Sequence, residues 1–237
     1  MYNLSSRVTF DRHLEKLSEQ VLVLGSMVAD AIRASIAALK RGDHTAARRI
    51  YDADERINER RYAIENEVVT LIATQQPMAR DVRFLASTLE IITELERIGD
   101  YAKGICKVNL MLASTATDAD EAIAPALLLN LQEMTDLGLD MLRRSLDAFI
   151  ATDVALARTI PNEDNAIDHL YNQIYQELVR EMMADTTTIE RANHLMWAAH
   201  NLERMADRVT NICERVIYVA SGELKDLDIS DDEYRGM

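Results

Sequence analysis

Residues that break secondary structure or cross-link a chain are rare in this sequence. Its 237 residues contain seven Gly, three Pro and two Cys, and only 5% are aromatic. So few turn-forming residues exclude a loop-rich or all-β protein. Two cysteines cannot form a disulfide framework, so we expect a reducing, cytoplasmic compartment. The N-terminus lacks the apolar stretch of a signal peptide, and the chain has no run of about 18 apolar residues. We therefore expect no direct membrane insertion.

Positive charge is also scarce. Lys and Arg number 26 against 40 Asp and Glu, which gives a formal net charge of −14. This balance opposes binding to nucleic acid or to an anionic lipid surface, and it favours the attraction of cations. Apolar residues, in contrast, make up 48% of the chain, which is enough for a sizeable core. We interpret Cys106 and Cys213 as part of that core, as small apolar residues packed on helices.

Apolar residues recur at three- and four-residue spacing through most of the chain, which predicts amphipathic helices. Gly42 followed by Asp43 predicts a helix end and a new N-cap, and Thr152 followed by Asp153 repeats that break. Thr187 and Glu190 have the spacing of a capping box before the last helix. The predicted helices span 11–41, 44–74, 79–113, 121–151, 154–184 and 187–220.

The two halves of the chain are related in sequence. A twelve-residue stretch occurs as LERIGDYAKGIC at 95–106 and as LERMADRVTNIC at 202–213, with six identities at an offset of 107. Residues 25–58 align without gaps on 135–168 at an offset of 110, with ten identities. We therefore predict an all-α protein of two tandem three-helix bundles, six long helices that arose by internal duplication. The expected units are a first bundle at 1–113, a second at 121–222 and an acidic tail at 223–237.

Each copy of the twelve-residue stretch carries a Glu and an Asp four residues apart, Glu96 with Asp100 and Glu203 with Asp207. Residues at that spacing share one helix face, where like charges repel. Both pairs continue helix faces that are otherwise apolar. The carboxylates therefore need a cation beside them, either an Arg side chain or a metal ion.

A second acidic spacing lies on the middle helix of each half. Asp164 and Asp168 carry it in the second half, and Asp54 with Asn58 carries it in the first. Antiparallel packing through a short turn brings these side chains near the acidic pairs of the third helices. All-oxygen clusters of this kind suit hard cations such as Mg²⁺, Mn²⁺, Ca²⁺ or iron. Because Asn58 removes one charge, we predict weaker or sparser metal binding in the first half.

The predicted metal ligands are Asp54, Asn58, Glu96, Asp100, Asp164, Asp168, Glu203 and Asp207. The spacing leaves a second interpretation open, in which the acidic faces are solvated and Arg97 and Arg204 compensate their charge. Enzyme motifs are absent, with no P-loop, Gly-rich phosphate loop or Ser-His-Asp arrangement, so we predict no catalytic activity. His200 and Glu203 stand in the reverse order of the Glu-x-x-His motif that ferritin-like di-iron sites use.

The twin LER-x-x-D segments, the QQPMARDVR run at 75–83 and the duplicated layout together resemble the PhoU family of bacterial phosphate-transport regulators. The resemblance implies a cytoplasmic negative regulator of the phosphate regulon. Such a regulator would link a phosphate ABC transporter, through its ATPase subunit, to a sensor histidine kinase, and would restrain phosphate uptake. It also implies multinuclear metal clusters on the acidic positions given above, although Asn58 departs from the acidic pattern. The expected cofactor is a divalent or iron-type ion (Fe, Mn, Mg or Zn).

Two other functional classes remain open. One is a carboxylate-cluster protein that binds metal for redox chemistry or metal storage. The other is a purely structural helical scaffold, which would be indifferent to metal and to loss of the acidic pairs. We expect the protein to form a homodimer.

Overall fold

The computed structural model of the protein describes residues 4–115, 123–224 and 227. Most of the predicted connector at 114–120 and most of the predicted acidic tail at 223–237 lie outside these residues. The described helices are α1 (Leu4–Arg41), α2 (His44–Gln75), α3 (Ala79–Thr115), α4 (Pro125–Ala151), α5 (Val154–Thr159), α6 (Asp164–Ala184) and α7 (Ile189–Ser221).

The breaks between the first two helices of each half form as predicted. Gly42 adopts the left-handed conformation with φ of 61°, and the carboxylate of Asp43 accepts a hydrogen bond from the backbone N–H of Ala46 at 2.8 Å. In the second half, Thr152 has φ of 52°, and Asp153 accepts from the N–H of Leu156 at 3.0 Å. Each aspartate thus satisfies one of the free N–H groups at the start of a helix.

Two local predictions for the second half were wrong. The helix predicted over 154–184 is interrupted by a 3-10 turn at Ile160–Glu163, because Pro161 has no N–H to continue the α-helical hydrogen bonds. The capping box of Thr187 and Glu190 does not form. Instead, Thr187 donates from both its backbone N–H and its hydroxyl to the carboxylate of Asp185, which caps a 3-10 turn before α7.

Helices α1, α2 and α3 form one bundle, and α4, α7 and the pair α5 and α6 form the second. The predicted fold class, all-α with two tandem three-helix bundles, is confirmed. The bundles lie side by side and share one continuous core, in which α3 packs against α7 and α1 against α4. Phe84 of α3 stacks on Phe149 of α4 with ring centroids 5.0 Å apart. Gly25 of α1 allows close approach to α4, because a Cβ there would come within 2.3 Å of a Leu146 methyl group.

Within the described residues, α1 is the one helix with the length and composition to cross a membrane, over Arg7–Arg41. Asp30 and Arg33 interrupt its apolar sequence. Most of its large apolar side chains are buried against the other helices, Leu24 and Ile32 fully, whereas Val23 is exposed. The apolar character of α1 is therefore that of a core helix.

α3 and α7 run antiparallel. Arg83 and Ser87, near the start of α3, donate hydrogen bonds to the carbonyls of Val219 and Arg215, near the end of α7. Further along, Glu94 is only 6% exposed and joins the two halves. Its carboxylate accepts from Arg97 of its own helix at 3.0 Å, and from two α7 side chains, Arg208 at 3.4 Å and Asn211 at 3.3 Å.

Replacing Glu94 by Ala should lower the free energy of unfolding by about 2–3 kcal/mol, because it leaves Arg208 and Asn211 without their carboxylate at the interface. Urea denaturation measures this change. Glu90→Ala, at an exposed position on the same helix, is the matched control and should stay within about 0.5 kcal/mol of the unmodified protein. Equal effects of the two substitutions would contradict the role assigned to Glu94.

Candidate functional site

The two LER-x-x-D segments lie where α3 and α7 cross at the centre of the molecule. Arg204 of the second segment sits over the ring of Tyr101, 5.2 Å from its centroid. Gly104 faces the Asn201 side chain so closely that a Cβ would lie 3.0 Å from its amide oxygen. The motif residues of the two halves are therefore neighbours across the α3–α7 interface, and each segment also faces the middle helix of its own half.

The first acidic cluster consists of Asp54 and Asn58 on α2 with Glu96 and Asp100 on α3. Asp54 is 5% exposed, although a carboxylate is costly to bury. The Lys103 ammonium lies 2.8 Å from Asp54 Oδ2 and compensates its charge. The amide of Asn58 donates to the same oxygen at 3.4 Å. The structure thus brings together the four residues predicted for the first half, and it adds a lysine to them.

Nearby charges act on the two α3 carboxylates of this cluster. Burial, followed by the charge of Asp100, raises the pKa of Glu96, and the cations Arg61 and Arg97 oppose that rise. Partial burial and the charge of Asp54 raise the pKa of Asp100, and Lys103 opposes it. Asp54, Glu96 and Asp100 are therefore close enough to repel one another. Lys and Arg side chains of the same half partly compensate that repulsion.

A cavity of about 280 Å³ opens beside the first cluster, between α1, α2 and α3. Four charged residues, Asp30, Asp54, Arg56 and Lys103, form part of its wall, and the remainder is apolar. Gly99 lies in the same wall, where a Cβ would press against Ile57 at 3.3 Å. The ion pair thus lies at the boundary between the core and solvent, where it is only partly screened.

The second acidic cluster consists of Asp164 and Asp168 on α6 with Glu203 and Asp207 on α7. Burial first, and then the charges of Asp207 and Asp168, raise the pKa of Glu203 to about 7. Arg204 and Arg208 oppose that rise without cancelling it. Asp168, Glu203 and Asp207 are therefore brought together, and Asp164 lies one turn before Asp168 at the first position of α6.

One oxygen of Glu203 is an incompletely satisfied acceptor. Glu203 Oε2 is buried and accepts no hydrogen bond from the residues that the structure describes. His200 Nδ1 lies 3.2 Å from this oxygen and forms an ion pair with it only when the imidazole is protonated. Burial and the charge of Arg204 lower the pKa of His200, which opposes that protonation. This oxygen is well placed to accept a cation.

The two clusters differ at several equivalent positions. Lys103 corresponds to Thr210, Arg61 to Tyr171 and Asn58 to Asp168, whereas Arg208 of the second half corresponds to Tyr101. The first half therefore has one carboxylate fewer than the second, and the two halves carry their cations at different positions. The sequence analysis overlooked Lys103 and Arg61 because it followed positions that match between the copies. The sequence signal that could have identified these two residues is a Lys or Arg that one half has and the other lacks at the equivalent position.

The two clusters differ in the groups that they offer to a hard cation. The second half offers four carboxylates, one of which has a buried oxygen, Glu203 Oε2, that accepts no hydrogen bond from the described residues. In the first half an ammonium already contacts Asp54. Over residues 4–115, 123–224 and 227, no three His, Cys, Asp or Glu side chains lie in positions that could already hold a metal ion. Binding would therefore require the carboxylates to turn toward the ion.

The two cysteines are packed as predicted. Cys106 and Cys213 are both buried, and burial raises the pKa of each thiol to about 12. Thiols in such surroundings are protonated at neutral pH and therefore inert as nucleophiles or metal ligands.

The free energy of unfolding of the metal-free protein should fall as the pH rises, because of the ionisation of Glu203. Because folding raises its pKa from 4.5 to about 7, the folded state holds a proton that the unfolded state releases between these values. With a chelator present, Glu203→Gln should gain about 1–2 kcal/mol of unfolding free energy relative to the unmodified protein between about pH 5 and pH 8.

Urea denaturation across this pH range measures the difference. Glu133→Gln, at an exposed position on α4, is the control and should follow the unmodified protein. Parallel curves for Glu203→Gln and the unmodified protein would show that the carboxylate is solvated in the folded state.

The PhoU domain family model matches the chain twice, at residues 21–108 and 131–216. The chain is 34% identical over 222 residues to the phosphate-specific transport system accessory protein PhoU homolog of Streptococcus pneumoniae strain TIGR4, covering 94% of this chain and 100% of that protein. It is 33% identical over 223 residues to PhoU of Escherichia coli K12, covering 93% of this chain and 90% of that protein.

Two crystal structures share the fold along most of their length. PhoU from Pseudomonas aeruginosa superposes with a TM-score of 0.80 at 29% identity, covering 90% of this chain and 100% of that one. The phosphate transport system regulatory protein PhoU from Streptococcus pneumoniae gives 0.81 at 32% identity, covering 92% and 99%. The two family matches fall on the two bundles, as the resemblance in the sequence predicts. The chain belongs to the PhoU family.

Proposed function

We propose that this protein is a negative regulator of the phosphate regulon and a modulator of phosphate uptake. It acts in the cytoplasm and without catalysis, by bridging the ATPase subunit of a phosphate ABC transporter and a sensor histidine kinase. The observation that carries the proposal is similarity over at least nine tenths of the chain to proteins named phosphate-specific transport system accessory proteins. The relatives and this chain share both bundles, so the whole architecture is available for the role.

The duplicated architecture supports bridging. Each half presents a long middle helix with large apolar side chains exposed to solvent, Tyr62 and Val69 on α2 and Tyr175 and Met183 on α6. Exposed apolar groups on similar but non-identical surfaces suit contacts with two different proteins. A protein of this kind regulates by binding one conformational state of its partner more tightly than the other. A homodimer would double both surfaces.

We further propose that the second acidic cluster holds a divalent or iron-type cation. The donors would be Asp164, Asp168, Glu203 and Asp207, whose carboxylate oxygens suit such ions. Support comes from the raised pKa of Glu203 and from its unsatisfied oxygen, both of which a bound cation would relieve. When bound, the ion would supply positive charge that ties α6 to α7.

Deleting the gene in the native host should raise alkaline phosphatase activity in phosphate-rich medium, because the kinase would lose its restraint. Measuring phosphatase activity in the deletion strain, and in the same strain carrying the gene on a plasmid, tests the regulatory proposal. The Glu133→Gln protein should restore repression as the unmodified protein does. Full repression in the deletion strain would count against the proposal.

Metal analysis after extensive dialysis tests the proposed ligands. The purified protein should retain or rebind Mn²⁺, and Glu203→Ala/Asp207→Ala should lose at least tenfold in affinity because half of the proposed carboxylates are gone. Mass spectrometry of bound metal and calorimetric titration with Mn²⁺ are the measurements. Glu133→Ala is the control at an exposed position on α4. Absence of bound metal in every protein would remove the metal from the proposal but not the regulatory role.

A further inference from the structure

We propose that the first acidic cluster takes no divalent cation, because the chain supplies the positive charge itself through the Lys103 ammonium, which contacts Asp54. Metal binding is then confined to the second half. The inference rests on the proposed metal role of the second cluster for its physiological meaning, but its own evidence lies wholly in the first half.

Lys103 is held where a cation would bind. Its ammonium lies 2.8 Å from Asp54 Oδ2, a carboxylate that is 5% exposed. The same ammonium lies 5.1 Å from the centroid of the Tyr51 ring, a distance at which a ring face attracts a cation. The lysine is therefore fixed on two sides, by the carboxylate and by the ring.

Two further residues make the first cluster poor in ligands for a metal ion. Arg61 pairs with Glu65 of its own helix at 3.5 Å, and its charge also opposes the rise in the pKa of Glu96. Asn58 turns its amide N–H toward Asp54 and contributes no charge. A divalent ion entering here would meet two like charges and would have to displace a buried ion pair.

The second half lacks the equivalents of these three residues, and the cations beside its Glu203 are Arg204 and Arg208 of α7. Thr210 replaces Lys103, Tyr171 replaces Arg61, and Asp168 replaces Asn58. Pro161 occupies the position of Tyr51, so the aromatic ring beside the ammonium is also missing. The two clusters therefore differ in how their negative charge is neutralised. The first is neutralised permanently and stabilises the α2–α3 packing at any metal concentration, whereas the second responds to metal.

The test introduces the second-half residues into the first half. Glu203→Gln/Asp207→Asn disables the second cluster, and this background protein should bind no Mn²⁺ in a calorimetric titration after chelation and dialysis. Adding Asn58→Asp/Arg61→Tyr/Lys103→Thr to the background should restore one class of Mn²⁺ site. The matched control adds Lys107→Thr in place of Lys103→Thr. Lys107 is an exposed lysine one turn further along α3, so the control should stay without metal.

The outcomes separate this inference from the proposed function. If the unmodified protein binds no Mn²⁺ but the first-half variant does, the second-half site fails and the present inference stands. If the background protein still binds Mn²⁺, and Glu96→Gln/Asp100→Asn removes that binding, the inference is overturned. A folded first-half variant that gains no Mn²⁺ site also overturns it. Should the combined variant not fold, the single change Lys103→Thr in the background protein replaces it. Added Mn²⁺ should then raise its melting temperature, and an unchanged melting temperature refutes the inference.

Discussion

The antiparallel packing of α3 against α7 determines the position of every other functional feature of this molecule. Both helices carry an LER-x-x-D segment, and the crossing places both segments at the centre of the molecule. Carboxylates on helices that are packed on both sides lose part of their hydration, which penalises the charged form. The raised pKa values of Glu96 and Glu203 show that penalty in both halves. The fold therefore requires positive charge that compensates these partly buried carboxylates.

The two halves meet that requirement in different ways. In the first, the Lys103 ammonium forms an ion pair with Asp54 at 2.8 Å, and Arg61, which pairs with Glu65, adds positive charge near Glu96. In the second, the equivalent positions carry Thr210 and Tyr171, and the charge on Glu203 is compensated only in part by Arg204 and Arg208. Duplication keeps the backbone arrangement while each copy changes its side chains. The two similar halves therefore differ in the chemistry of their acidic clusters.

The interface between the halves diverged as well. Glu94 of α3 binds Arg208 and Asn211 of α7, whereas the equivalent Asn201 of α7 packs against Gly104 of α3 and donates a hydrogen bond to the Trp197 carbonyl. Charged hydrogen bonds of Glu94 thus stabilise one side of the pseudo-symmetric crossing. At the other side, Gly104 lets the two helices approach closely. Because a buried carboxylate is costly when it lacks a partner, the charged side fixes the register of α3 on α7.

The sequence by itself determined most of the helices, their duplication and the identity of the acidic positions, because these depend on periodicity and on local signals that act within a few residues. Asp43 and Asp153 cap helices as their spacing predicts. The tertiary structure alone decided that the bundles lie side by side on one core, that Lys103 reaches Asp54 on another helix, and that Glu203 loses enough water to raise its pKa. These features depend on which helix faces meet, and residues 49 apart in the chain, such as Asp54 and Lys103, carry no local signal of that meeting.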